Sequence, residues 1–488
     1  MKMKKFLALL LACVMTLALL AGCGGSGNGN GNDANKGGDE GGIPTITWYQ
    51  VGGGPPANLD SWTEKANAYL EEKIGVHIDM QIVSWGGWGD RRSMVLQTNE
   101  PYDIMFTDSG SYTADVAMGA FADLSEYIKE TPGITDLIPE DYLNACKIDG
   151  KLYGIPAYKD SSMTNFFVWT KEYVDAYAPD VWADVHSLED ATPVVQAIKE
   201  GTGEPPMLLN KDGVSCVVGN RYDQLGMAGM AAIGVSYYDN SGKVVCTFEQ
   251  KDVMDQLKIL HQWMNEGLIN SDAATASEAT GMCGVGISQG WPAAAKGWGD
   301  GRGTEVVVSQ FGDSVVSNDT IQGSMACISA SSAHPQEALK VIELVSTDSK
   351  FRDMLYYGEE GVNFQYVEEN GEQRVEKLNA DWTMAGYTQG TTKTVTPEKG
   401  SVPFFEEVDA QNKAAISSVA LGFAFDKTPV ADKIAACQAI FEEYKGQLQT
   451  GTGEPESTVA SMMSSMRASG FDDIVAEAQS QLDAFLGK

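Results

Sequence analysis

Residues 149–162 read Asp149-Gly150-Lys151-Leu152-Tyr153-Gly154-Ile155-Pro156-Ala157-Tyr158-Lys159-Asp160-Ser161-Ser162. The Asp-Gly pair predicts a tight turn, because both residues tolerate turn backbone angles that most side chains resist. Leu152–Ile155 then predicts a short apolar strand, and Pro156 ends its pairing because proline has no N–H to donate. Beyond it the chain delivers Tyr158, Lys159, Asp160 and Ser162. A strand that leaves one folding unit and ends in aromatic and hydrogen-bonding side chains is placed to line a cleft between two lobes, a favoured position for ligand sites.

Upstream of this stretch the pattern alternates strand and helix. Thr45–Val51 predicts a strand, and the Gly52-Gly53-Gly54-Pro55-Pro56 loop follows it. A helix starts near Asp60, with Trp62, Ala66, Tyr69 and Leu70 at helical spacing and Gly75 as its stop. Val76, Ile78, Met80 and Ile82 alternate as a second strand, and Trp85–Trp88 reads as a Gly-rich aromatic loop before a helix at Arg91–Gln97. Tyr102–Thr107 is a third strand, ending at Asp108-Ser109-Gly110. This rhythm predicts a mainly parallel sheet flanked by helices, whose ligand loops follow the strand C-termini at Tyr49–Gly54, Trp85–Trp88 and Asp108–Tyr112.

Downstream a second unit of similar plan is expected. Asn165–Thr170 reads as a strand, Ser187–Glu200 and Val253–Asn265 as helices, and Met282–Ile287 as a strand. Pro292 suits a first helical position, so Trp291 falls in a strand-to-helix loop. The C-terminal third is helical, and the Val459, Met462, Met463 and Met466 stripe reads as core rather than as a cofactor pocket.

The chain has 488 residues, with 34 basic and 67 acidic ones and a net charge of -33. That length calls for two or three cooperating units, and that charge repels phosphate, so nucleic acid is excluded as a partner. The N-terminus carries Lys2, Lys4 and Lys5 ahead of an apolar run, Phe6–Leu20, too short to span a membrane, which predicts a signal peptide. Gly24–Gly42 contains nine glycines among polar residues and reads as a flexible tether with a reach on the order of 25 Å. Cys146, Cys216, Cys246, Cys283, Cys327 and Cys437 form no Cys-x-x-Cys pair, which removes zinc ribbons and thioredoxin-like motifs. Most are expected as free thiols in apolar settings, with Cys216–Cys246 the first choice if any pair forms.

Leu20-Ala21-Gly22-Cys23 resembles the lipobox of bacterial lipoproteins, which implies diacylglycerol on Cys23. Over most of the remaining chain the sequence resembles the family-1, largely sugar-binding, extracellular solute-binding proteins of ABC importers. The subgroup it is most similar to comprises Firmicutes lipoproteins with a C-terminal domain of unknown function. The resemblance rests on Pro101-Tyr-Asp-Ile-Met-Phe-Thr-Asp108, Asp149–Tyr158, Ala333-His-Pro-Gln-Glu-Ala-Leu339, Tyr357-Gly-Glu-Glu-Gly361, Leu421-Gly-Phe-Ala-Phe-Asp426, Ala468-Ser-Gly-Phe-Asp-Asp473 and Glu477–Leu482, in that order.

The resemblance implies an α/β, two-lobe, type II periplasmic-binding-protein fold, closing like a Venus flytrap around its ligand. Its expected parts are a signal peptide (1–22), a tether (23–43), a first lobe (44–158 with about 320–385) and a second lobe (159–315 with about 400–488). The chain would cross between lobes in the opening stretch, near 312–322, and within 370–405. The implied ligand contacts are Tyr49, Gln50, Asp108, Ser109, Tyr158, Asp160, Trp291 and Trp382, and the aromatic loop after the second strand adds Trp85. Aromatic rings suit the C–H faces of a sugar, while carboxylates and amides suit its hydroxyls.

The implied function is a lipid-anchored, non-enzymatic receptor on the outer face of the cell membrane. It would be monomeric, need no cofactor or metal, and hand a sugar or oligosaccharide to separate permease subunits. A peptide or other polar solute is the alternative ligand, and a surface glycan hydrolase or esterase the alternative class. For the latter, Gly286-Ile-Ser288-Gln-Gly290 matches a nucleophile elbow, but Trp291-Pro292 intervene before the helix and His334 is the lone downstream base. His77, His186, His261 and His334 lack metal-ligand spacing, Gly297–Gly303 lacks the lysine of a phosphate loop, and Glu359-Glu360 are adjacent rather than opposed.

Overall fold

The computed structural model describes residues 42–279 and 283–488. The expected signal peptide, the lipidation site Cys23 and the tether up to Gly41 lie outside the described residues.

The first lobe is built on β1 (Thr45–Gly52), α1 (Leu59–Ile74), β2 (His77–Ser84), α2 (Trp85–Thr98) and β3 (Ile104–Thr107). β1 pairs in parallel with β2, Thr45 opposite His77, and with β3, Trp48 opposite Ile104. Trp62, Ala66 and Leu70 recur every fourth residue on α1 and are fully buried, and Gly75 ends the helix at φ 70°, where glycine carries no Cβ penalty. The Asp149-Gly150 turn has both residues at positive φ and joins Lys147–Ile148 to Lys151–Leu152 as a small hairpin. β4 (Gly154–Pro156) follows it as the edge of the five-stranded sheet, where its proline is tolerated.

β5 (Met163–Thr170) starts the second lobe and is buried along nearly its whole length. Its neighbours β6 (Val285–Gln289) and β7 (Val306–Val316) both run antiparallel to it. The second lobe therefore departs from the mainly parallel sheet expected from the strand-helix rhythm. Between β5 and β6 lie more than a hundred residues, including α3 (Leu188–Thr202) and α4 (Lys251–Asn265), so local pattern does not dictate strand direction. Ser187 caps α3 by accepting from the Asp190 N–H at 3.1 Å.

β8 (Met325–Ile328) returns to the first lobe and lies antiparallel between β3 and β4, giving the order β2-β1-β3-β8-β4. α5 (Pro335–Thr347) and α6 (Ser349–Tyr357) cover that sheet, and β9 (Phe364–Glu369) with β10 (Glu372–Lys377) forms a hairpin on its flank. α7 (Phe405–Ala414) leads to β11 (Ile416–Ser417), which pairs with β7 at Val315 opposite Ile416. α8 (Ala431–Gln449), α9 (Pro455–Ala468) and α10 (Phe471–Phe485) complete the second lobe. Met462, Met463 and Met466 pack there with Trp169, Trp263 and Phe248, as the stripe predicts. The first-lobe core is separate, centred on Trp48, Trp62, Phe106 and Phe351.

Three chain segments join the two cores. The first is 157–162, between β4 and β5, and the second is 317–324, between β7 and β8. The third runs through α7, whose Phe405 packs on the first core, to β11 in the second sheet. The segments are bonded to one another. Ala157 donates its N–H to the Ser324 carbonyl at 2.9 Å. Asn412 of α7 donates to the Lys159 carbonyl at 2.6 Å and accepts from the Ser162 N–H at 2.9 Å. Asn318 accepts from the Gly422 N–H at 2.8 Å.

Candidate functional site

The turn after β3 borders the space between the lobes, while the C-terminal end of β1 is covered by residues 383–385, with the Gly53 N–H donating to the Thr383 carbonyl at 2.7 Å. Trp85, the first residue of α2 after β2, is 47% exposed, its ring edge-on to Phe106 with centroids 5.8 Å apart. The expected Gly-rich loop is instead the first turn of α2. Gly86, Gly87 and Gly89 weaken a helix by about 1 kcal/mol each, but buried Trp88 and Val95 anchor it. After β3, the Asp108 Oδ1 accepts from the Gly110 N–H at 3.1 Å and from the Ser111 hydroxyl at 3.4 Å, fixing the Asp108–Ser111 turn. Ser109 and Gly110 project across the seam toward the second lobe. With Gly226, Met230, Asp319 and Lys427 they border a cavity of about 370 Å³.

From the second lobe comes Trp291, half-buried and stacked on Phe404 at 4.7 Å with the rings 21° apart. Its loop is fastened to α7: Ala293 N–H donates to Glu407 at 3.0 Å, and Gln411 donates to the Gly290 carbonyl at 2.9 Å. In the first connecting segment, Lys159 pairs with Asp160 at 2.8 Å, and both side chains stay partly open to solvent.

Four other residues expected at the ligand are engaged inside the protein. Tyr49 is buried, donates to Glu100 at 2.7 Å and lies beneath Arg91; burial and the Glu100 hydrogen bond push its phenol up to about 12. Gln50 is buried, and its Oε1 accepts from the Val51 N–H at 2.9 Å and the Thr388 hydroxyl at 3.3 Å. Tyr158 is buried between Tyr142 and Phe405 and donates to Asp409 at 2.6 Å. Trp382 packs on Trp62 with centroids 5.1 Å apart and donates its indole N–H to the Leu355 carbonyl at 3.0 Å. A side chain whose polar atoms are already satisfied, with its ring covered, has little to offer a ligand.

The structure adds residues that the sequence reading did not select. Tyr387 is 48% exposed; burial, and after it the charge of Asp160, raise its phenol pKa. Arg352, fully buried, holds the loop that carries Tyr387 by donating to the Gly386 and Thr391 carbonyls, each at 2.8 Å. Asp319 lies on the second connecting segment. Burial and then neighbouring Asp223 push its carboxyl up to about 6, against the pull of Lys427. Lys427 donates to the Gly226 carbonyl at 2.5 Å, and burial lowers its pKa. Lys427 directly follows the Leu421–Asp426 motif, which is the signal that could have drawn attention to it.

The elbow-like Gly286–Gly290 segment lies within and just beyond β6, where Ser288 pairs with Phe166 in mid-ladder. It is not the sharp strand-to-helix turn that a hydrolase nucleophile occupies, and His334 stands at the N-cap position of α5 in the other lobe. All six body cysteines are free thiols, Cys216 and Cys246 included; Cys246 Sγ lies 3.4 Å from Met463 Sδ instead.

Residues 65–359 match the bacterial extracellular solute-binding protein family, and residues 419–487 match DUF3502, a domain of unknown function. The chain belongs to the bacterial extracellular solute-binding proteins. It is 27% identical to a carbohydrate ABC transporter substrate-binding protein of Streptococcus pneumoniae, over 100% of this chain and 99% of the relative. Lipoprotein LipO of Bacillus subtilis is 26% identical over 43% of this chain and 42% of its own. Among solved structures, the N-glycan transport solute binding protein NgtS of S. pneumoniae superposes with a TM-score of 0.82 at 25% identity, covering 91% of this chain and 99% of that one. Its complexes with Man1GlcNAc and Man5GlcNAc score 0.72 and 0.69 over the same 91% of this chain, at 24% and 25% identity.

Proposed function

We propose that this chain is a lipid-anchored receptor that captures an oligosaccharide between its lobes and delivers it, unmodified, to the permease of an ABC importer. The observation that carries this reading is the end-to-end correspondence with a carbohydrate ABC transporter substrate-binding protein. The geometry is consistent with it. Trp85 is exposed after β2 and Trp291 half-buried after β6, and each ring is braced by a second aromatic. A braced ring meets the C–H face of a sugar without losing side-chain freedom on binding. Asp108, Ser109 and Asp160 would supply acceptors and a hydroxyl for sugar hydroxyls.

Ligand capture in such a receptor would proceed by hinge closure of the lobes. Rotating one intact lobe against the other lowers a whole-chain score without changing either fold. The scores against the two sugar complexes, 0.72 and 0.69, are lower than the 0.82 against the other structure of the same protein. Closure would present the permease with both lobes in fixed register. Cys23 would carry the lipid and residues 24–42 the leash, leaving a monomeric body outside the membrane.

The test is calorimetric titration with defined oligosaccharides, together with chromatography of the ligand afterwards. Saturable binding with the sugar recovered intact supports the reading. Release of product, or no binding across the panel while a peptide library binds, refutes it.

A further inference from the structure

The region 419–487 has no assigned role, yet it forms one side of the space between the lobes. Its longest helix, α8, has two working faces. Cys437, Phe441 and Leu448 enter the second-lobe core. Ile434, Gln438, Glu442, Lys445 and Gln449, at successive spacings of three and four, follow another stripe. Ile434 and Gln438 border the 370 Å³ seam cavity beside Ser109 and Gly110. Glu442, Lys445 and Gln449 border a second cavity of about 520 Å³. Both cavities touch Asp319 and Gly229, so they adjoin along the helix. Each volume falls within the range of about 300–1,000 Å³ typical of small-molecule sites.

The chemistry of this stripe suits an uncharged, hydroxyl-rich ligand. Gln438 is exposed and, among the described residues, has no side-chain hydrogen bond, which leaves its amide both a donor and an acceptor. Glu442 and Lys445 pair at 2.8 Å, setting an acceptor beside a donor, and Lys445 also reaches Asp212 at 3.4 Å. A pair of neighbouring sugar hydroxyls presents the complementary pattern. Although the whole chain is strongly acidic, Lys427 and Lys445 offset Asp212, Asp319 and Glu442 here, so the trough is close to neutral. Gly229 keeps the opposite wall near: a Cβ there would lie 2.5 Å from Gln438 Nε2.

We propose that α8 is an extended binding platform, on which Gln438, Glu442 and Lys445 hold the outer units of an elongated neutral oligosaccharide whose inner end sits in the cleft between lobes. The C-terminal region thereby sets the length of sugar the receptor prefers. This inference rests on the carbohydrate-receptor reading above.

The purified protein and its Gln438→Ala/Lys445→Ala variant are titrated with Man1GlcNAc, Man5GlcNAc and a panel of neutral oligosaccharides of two to nine units. Loss of the platform weakens binding of the longest ligands by about tenfold or more, and leaves the shortest within about twofold. Unchanged affinity for short ligands also certifies the variant's fold. Glu442→Ala gives the same length-selective loss. Equal weakening at every length, or none at any length, overturns the platform while leaving the receptor reading intact. Failure of the unsubstituted protein to bind any saccharide overturns both, and is recognised before any variant is made.

Discussion

The hydroxyl of Tyr158 donates to the carboxylate of Asp409 at 2.6 Å, joining the first connecting segment to the helix of the third. Burial opposes charge on Asp409, but bonds from Lys413 and Tyr158 outweigh it and hold its carboxyl below the ordinary aspartate value. Hydrogen bonds to charged groups contribute about 1.5–3 kcal/mol, and partial exposure of Asp409 places this one at the lower end. Tyr158→Phe should lower the melting temperature by about 1–2 °C, measured by calorimetry. A melting temperature equal to that of the unsubstituted protein would show that the bond contributes nothing to the joint.

Trp291→Ala should weaken oligosaccharide binding by roughly tenfold or more, because a braced ring at a binding surface is the kind of residue on which affinity concentrates. Trp382→Ala should do the opposite: affinity stays within about twofold, and stability falls by about 1–3 kcal/mol through lost packing on Trp62. Titration and denaturant unfolding of both variants separate the roles. Exchanged phenotypes would mean that the platform and the packing residue have been assigned the wrong way round.

Asp319 predicts a pH effect on stability. Its folded value of about 6 lies above the ordinary 3.8, so the native state holds this proton more tightly than the unfolded chain does. The stability it contributes is complete below the ordinary value and is lost as pH rises to about 6. Plotted against pH, the melting temperature of the Asp319→Asn variant should therefore lack the decline that Asp319 adds across this window. Parallel curves for the two proteins would exclude Asp319 as the titrating group.

Thiol chemistry checks the interior. Cys146, Cys327 and Cys437 are fully buried, Cys216 and Cys246 nearly so, and Cys283 is the half-exposed one. Burial pushes the Cys146, Cys216 and Cys246 thiols above their ordinary value, which suppresses the reactive thiolate. Ellman titration of the native protein should modify Cys283 rapidly and the other five body thiols only on unfolding. A count in denaturant two short of the full complement, restored by reductant, would mean that a disulfide forms after all.

Much of the first lobe was legible because its cues are local. The alternation of β2, the four-residue recurrence on α1, Gly75 as its stop and the Asp149-Gly150 turn each depend on neighbours in sequence. Strand direction in the second lobe was not legible, because β5, β6 and β7 meet across long separations that no local period encodes. The tryptophans divide for another reason. Trp85, Trp291 and Trp382 all sit among glycines and polar residues, yet only the fold decides which ring finds a covering partner on both sides. Tyr49 and Gln50 illustrate the same limit: the strand is right, and its side chains point into Arg91, Glu100 and Thr388 rather than outward. Asp319 and Lys427 escaped notice because their significance lies in being neighbours, although they are about a hundred residues apart.

The position of β8 has a consequence for biogenesis. Met325–Ile328 fills the gap between β3 and β4, so the first sheet cannot close until residues far along the chain arrive. During N-to-C emergence, Ile104–Thr107 presents an unsatisfied strand edge through synthesis of most of the second lobe, and such edges invite wrong partners. A fragment ending before residue 325 would therefore be an aggregation-prone remnant rather than half a receptor. The two lobes mature as one interlocked product, and neither has an independent folding history.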